Sequence, residues 1–241
     1  MGETQRYGPA FVLRAKDWVV SLALAGAAFV VPITVTIMLA SRVSGDLLVV
    51  SSLGASGLGG LAVFGLYLVF TNRTLDYVDF PGRSARAAAI GVLVGLALAA
   101  IQYGLTALFA TFGVGGTVGP IGRLVRQRGI TFLAAVTLAN VLLVAPGEEL
   151  LYRNGVQKLL SRSNSEAVAV VGAAAIFAFP HLAGVLSATT AEMGTVFFEV
   201  FVNAVGYGLA YAYWGRVDIT IAAHAVYNCI VFGFAYLGVI G

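Results

Sequence analysis

Charged residues are scarce in this sequence. Asp, Glu, Lys and Arg make up 10% of its 241 residues against 59% hydrophobic, and the mean hydropathy is +0.93. A soluble domain carries about 25% charge, so the shortfall excludes one and points to an integral membrane protein in contact with a lipid bilayer. The net charge of +3 is small, and the basic residues sit scattered near the ends of apolar runs. That distribution excludes a nucleic-acid-binding surface. Cys229 is the only cysteine, which excludes an intrachain disulfide. Lys16 and Lys158 are the only lysines among 14 basic residues, a bias expected of a GC-rich prokaryotic genome and hence of a prokaryotic cell membrane. The apolar runs lack the period-two alternation of barrel strands. There is no internal repeat, no low-complexity segment and no HExxH zinc helix.

What is there is a series of long apolar runs. A helix needs about 20 apolar residues to cross the hydrocarbon core. Seven stretches qualify: 19–40, 47–70, 87–112, 130–152, 167–186, 193–214 and 219–240. They predict an all-α, polytopic transmembrane helical bundle of about 7–8 spans, forming a single integral membrane domain over 1–241. The first run is too long for a signal peptide and lacks a cleavage site, so it reads as a permanent span. Counting Arg and Lys puts the N-terminus in the cytoplasm, with Arg6, Arg14, Lys16, Arg73, Arg83, Arg86, Arg153, Lys158, Arg162 and Arg216 on that side. The segment 113–129, with Arg123, Arg126 and Arg128, runs against the count. Either it holds a re-entrant piece or 87–112 is not a simple span.

Polar groups inside spans are rare and costly, about 3 kcal/mol each on insertion scales, and they mark function. Glu148, Glu149 and Arg153 end the fourth span, His181 lies late in the fifth, and His224 and Asn228 lie early in the seventh. Asn140, Glu199 and Asn203, each taken singly, read as glue between helices. Glu149 and Arg153 are i, i+4 and share a face, so they predict an ion pair. Glu148 is turned by about 100° from Glu149 and left free. His224 and Asn228 are again i, i+4. Pro146 and Pro180 each remove a helical N–H, beside Glu148 and His181. One cavity opening to the cytoplasmic side is expected to collect Glu148, His181, His224 and Asn228. A carboxylate shielded from water becomes a stronger base, and imidazole and amide donors suit a developing oxyanion.

Three motifs now stand in order: Glu148-Glu149-Leu150-Leu151-Tyr152-Arg153 (EExxxR), Phe177 to His181 (FxxxH) and His224 to Asn228 (HxxxN). Together they resemble the CPBP family, the CAAX prenyl endopeptidases and bacteriocin-processing or self-immunity proteins also called Abi. The resemblance covers 130–240, the expected catalytic core; the first 110 residues carry no signature. Asn154 departs from the Gly that many members have after the Arg. The resemblance implies an intramembrane endopeptidase in which Glu148 activates water with His181, and His224 and Asn228 donate to the oxyanion. Glu149 and Arg153 would support them. The implied partner is a membrane-attached protein or lipidated peptide, prenylated in the CAAX case. The sequence sets no oligomeric state.

Several alternatives compete. Glu148, His181 and His224 would give a three-ligand zinc site, but without HExxH no cofactor is favoured. Gly54-Ala55-Ser56-Gly57 looks like a rhomboid nucleophile motif, yet reads as small-residue helix packing. Cys229 lies about 140° off the His224 face, and no GxGD pair of aspartates is present. A transporter, or a non-catalytic immunity or scaffold protein, would use the intramembrane carboxylates and histidines as a relay or not at all.

Overall fold

The computed structural model describes residues 9–113 and 120–239 and, of residues 9–13 and 120, the backbone alone. Arg6 and the stretch 114–119 therefore lie outside the described residues. The helices are α1 (Pro9–Ala40), α2 (Gly45–Phe70), α3 (Ala85–Thr111), α4 (Pro120–Arg128), α5 (Ile130–Leu160), α6 (Glu166–His181), α7 (Thr190–Trp214) and α8 (Val217–Leu237). Among the described residues there is no strand, and seven helices are long and apolar enough to cross a membrane. The exception is α4. Nine residues rise only about 14 Å. It turns Val125, fully buried, onto Phe132 and Val136, while Arg128 faces out and pairs with Asp46 at 3.3 Å. The piece suspected in 113–129 is thus a short amphipathic helix, and 85–111 is one continuous helix.

The fourth span is longer than its apolar run. It continues through the polar residues 153–158 to Leu160, because every side chain from Leu151 to Gln157 is buried by neighbouring helices. Arg153 therefore does not belong with the charges of a cytoplasmic loop, as the count of basic residues assumed. It is fully enclosed. Two π-helical stretches, Asn140–Val144 and Leu150–Gln157, bracket the two glutamates. The Ala145 N–H reaches five residues back to the Asn140 carbonyl. The widened turns arise beside Pro146, which has no N–H for the Leu142 carbonyl, and re-aim the side chains between them.

The glycines around Ser56 set how closely α2 meets α5. A Cβ on Gly57 would fall inside the van der Waals radius of the Leu143 carbonyl, and one on Gly60 would lie 2.8 Å from the Gly147 carbonyl oxygen. Gly65, on the same helix, faces open space. Overpacking typically costs 1–3 kcal/mol. Gly57→Ala is expected to lower the melting temperature in detergent and to reduce activity, whereas Gly65→Ala leaves both unchanged. Equal melting of the two variants would contradict the close approach.

Candidate active site

Glu148 and Glu149 are neighbours in sequence with different surroundings. Glu149 is fully buried. Its Oε2 accepts from Arg153 Nε at 3.0 Å, and its Oε1 lies 3.0 Å from His224 Nδ1. Arg153 goes on through Nη1 to Gln157 Oε1 at 3.2 Å, and Gln157 Nε2 donates to the Gly208 carbonyl at 2.9 Å. The spacing 149, 153, 157 is one helix stripe, so the expected ion pair is there and extends one turn further. A carboxylate held by an arginine is an acceptor only. His224 Nδ1 must then carry the proton and donate it, leaving Nε2 facing the other way.

Nε2 of His224 lies 3.8 Å from Glu148 Oε2. The Glu148 side chain is 16% exposed, against 0% for Glu149. Its other neighbour is Ser56, whose Oγ donates to Oε1 at 3.4 Å. Ser56 sits in the glycine run described above. Small-residue packing was the right reading of that run, yet the packing also sets a hydroxyl against Glu148. No sequence signal separates the two, since the partner is 92 residues away.

His181 ends α6, one residue after Pro180, where the chain tightens into a 3-10 turn, Leu182–Val185. Its Nδ1 lies 2.9 Å from the Phe177 carbonyl. A carbonyl only accepts, so Nδ1 is the donor and the neutral ring leaves Nε2 as an acceptor. Phe177 itself is buried among Tyr152 at 4.8 Å, His181 at 4.8 Å and His224 at 6.1 Å between ring centroids. Tyr207 stacks on His224 at 5.1 Å, within 14° of parallel. Asn228 Nδ2 donates to Asn140 Oδ1 at 2.8 Å, and Asn140 Nδ2 donates to the Ala225 carbonyl at 3.2 Å. One Asn228 amide hydrogen remains uncommitted.

Glu148, His181, His224 and Asn228 all line one cavity of about 850 Å³. A second, smaller cavity of about 390 Å³, walled by Phe29, Pro32, Ile33 and Ile37 of α1, also touches Glu148, His181 and Ser56. The two meet at those three residues. The larger cavity does not open toward the end of the bundle where the N-terminus lies, contrary to expectation. Its exposed lining residues, Ala107, Ala110, His181 and Val239, are at the opposite end. On the N-terminal side the space beyond Glu149 is filled by Arg153, Gln157, Leu160 and Ile219, all fully buried.

Among the described residues no group of three or more His, Cys, Asp or Glu is placed to hold a metal ion. In the zinc set of Glu148, His181 and His224, each imidazole turns its Nδ1 to another partner, the Phe177 carbonyl or Glu149, and keeps its Nε2 free. Metal-bound histidines are commonly held in this way, so the engaged nitrogens do not decide between metal and metal-free chemistry. Cys229 is half-buried and 3.9 Å from Asn140 Nδ2, outside the lining of both cavities. Asn154, the departure from the motif, has a structural contact. Its Oδ1 accepts from the Asp79 N–H at 2.8 Å, and Lys158 grips the Asp79 carboxylate at 2.8 Å. Together they pin the α2–α3 loop onto α5.

Residues 130–230 match the protein-family model described as type II CAAX prenyl endopeptidase, Rce1-like. The match spans all three motifs and supports an intramembrane protease. No curated protein and no solved structure matches the chain.

Proposed function

We propose, from the Rce1-like family whose model residues 130–230 match, that this protein hydrolyses a peptide bond of a membrane-attached polypeptide with a water activated by Glu148. The observation that carries the glutamate reading is the unequal use of the two carboxylates. Glu149 is consumed by Arg153 and His224, while Glu148 keeps a face toward the cavity and, among the described residues, has a serine hydroxyl and an imidazole edge as its polar neighbours. Nothing in this reading passes through a metal.

In the proposed cycle a water lies between Glu148 and His181 Nε2. Glu148 takes one proton. The oxygen attacks the scissile carbonyl carbon, and the carbonyl oxygen becomes an oxyanion. The free amide hydrogen of Asn228 donates to that oxyanion, as does Nε2–H of His224 when the ring carries both protons. Collapse breaks the C–N bond, and the proton on Glu148 passes to the leaving amine. Arg153 and Glu149 hold His224 in register without touching the reacting atoms.

The substrate is expected to carry an apolar or lipid-modified segment, because both cavities at Glu148 are mostly apolar and lie among membrane-spanning helices, where a membrane-attached chain is the most readily delivered substrate. Residues 130–240 would form the catalytic core, with α1 and α2 walling the smaller cavity. One peptide sequence, with and without a C-terminal lipid, tests this in a detergent cleavage assay. Cleavage of the lipidated form at a rate at least about tenfold higher is expected, roughly 1.4 kcal/mol of added transition-state binding. Equal cleavage of the soluble form would end the membrane-substrate reading. Failure to cut either, with cellular function intact in Glu148→Gln, would favour a scaffold.

A further inference from the structure

The larger cavity has a second polar pole that the proposed chemistry does not use. Glu199 on α7 is 8% exposed and lines that cavity. Its Oε1 accepts from Thr106 Oγ1 at 3.0 Å, and Thr106 is in turn 3.5 Å from Gln102 Nε2. Among the described residues no ion pair involves Glu199. A carboxylate at membrane depth with only neutral donors has lost its hydration without a compensating charge. The surrounding wall is aromatic. Tyr103, Tyr227 and Phe234 line the same cavity, with Tyr103 and Phe234 rings 5.0 Å apart, and Glu199 and Tyr103 lie within electrostatic reach of Tyr227. A carboxylate and aromatic rings on one cavity wall are the chemistry that recognises an ammonium or guanidinium.

Three polar atoms on the same wall are unpartnered. Asn203 Oδ1, Tyr207 Oη and Tyr103 Oη are buried without a hydrogen-bond partner, on side chains lining this cavity. Asn203 is 4% exposed and Tyr207 is 1% exposed. Native structures rarely leave such atoms idle. Glu199, Asn203 and Tyr207 are each four residues apart, one stripe of α7 that ends where Tyr207 stacks on His224. The stripe runs along the cavity wall from Glu199 to the residue stacked on His224. From Tyr207 to Glu199 the rise is about 12 Å, the length of about three to four residues of extended chain.

We propose that Glu199, with the rings of Tyr103, Tyr227 and Phe234, forms a subsite for a Lys or Arg side chain of the substrate, three to four residues from the cleaved bond. The proposal rests on the endopeptidase reading but is tested by binding alone. N-palmitoylated peptides of one alanine–leucine sequence, each with a single Lys at a successive position, are titrated against detergent-purified Glu148→Gln protein. Norleucine replaces Lys in the paired controls. At one or two neighbouring positions the Lys peptide is expected to bind at least about tenfold more tightly, as a desolvated cation between rings and carboxylate should. Adding Glu199→Gln removes the preference and leaves norleucine affinity unchanged. Equal binding of Lys and norleucine at every position, or a preference that survives Glu199→Gln, overturns the subsite. Glu199-dependent thermal stabilisation by phosphatidylcholine nanodiscs over phosphatidylglycerol ones, without a Lys preference, assigns the cage to a lipid headgroup and overturns the peptide reading. Tyr103→Leu, on a different helix, makes the same test if Glu199→Gln does not fold. A binding preference found without cleavage leaves the subsite standing and strikes only the protease reading.

Discussion

Glu148→Gln is expected to lower the single-turnover cleavage rate by about 10³-fold, within the range that one positioned acid–base group contributes. The same protein should melt within about 3 °C of the parent, the shift that roughly 1 kcal/mol gives in a domain of this size. Two features separate the effects. The amide is the same shape as the carboxylate and still accepts from Ser56 through its carbonyl oxygen. It no longer takes a proton from water. The side chain is also partly exposed to the cavity, so little buried charge is disturbed. Glu149→Gln should behave differently and lose stability together with activity, because that carboxylate is enclosed between Arg153 and His224. Cleavage that persists in Glu148→Gln would move water activation to another group. A Glu148→Gln protein that melts far below the parent would make Glu148 a structural carboxylate instead.

The spans were legible because length and apolarity alone decide them: each expected run matches a helix to within about five residues at either end, apart from the first, whose helix starts ten residues earlier, and the fourth, which ends eight residues later. That extension was hidden because Arg153, Asn154, Gln157 and Lys158 look like a loop until their partners are known. Gly208, the partner of Gln157, and Asp79, the partner of Asn154 and Lys158, lie 51 to 79 residues away. The Glu149–Arg153 pair was legible, since i, i+4 is a local rule. The grip of Glu149 on His224 was not, and it changes how that histidine is used: only Nε2 faces the cavity. The π-helical stretches follow from how Pro146 and its neighbours settle against α2, which no local spacing encodes. The direction of the cavity was misread because depth along a span says nothing about what fills the space. Bulky buried side chains close one end and small ones, Ala107 and Ala110, leave the other open.

Arg153→Ala is expected to cost about 3–5 kcal/mol of stability, the usual result of stripping one partner from a buried pair. The guanidinium has no exposed surface, and it serves two acceptors, Glu149 and Gln157, through different nitrogens. Its carbon also lies 5.9 Å from the Phe177 ring centroid. Removing it leaves the Glu149 carboxylate buried without its arginine, still beside His224, and frees His224 to leave the position where Nε2 faces Glu148. Activity should therefore fall with stability. Arg153→Lys should restore neither fully, because a single ammonium cannot reproduce the fork between two acceptors. The double variant Glu149→Ala with Arg153→Ala separates the causes. Without an orphaned carboxylate it should melt above Arg153→Ala, giving a coupling energy of at least about 1 kcal/mol in the cycle. It should stay inactive, because His224 has then lost the acceptor that orients it. An Arg153→Ala protein that melts like the parent yet does not cleave would place Arg153 on the substrate, and Glu149 would then need another explanation for its burial.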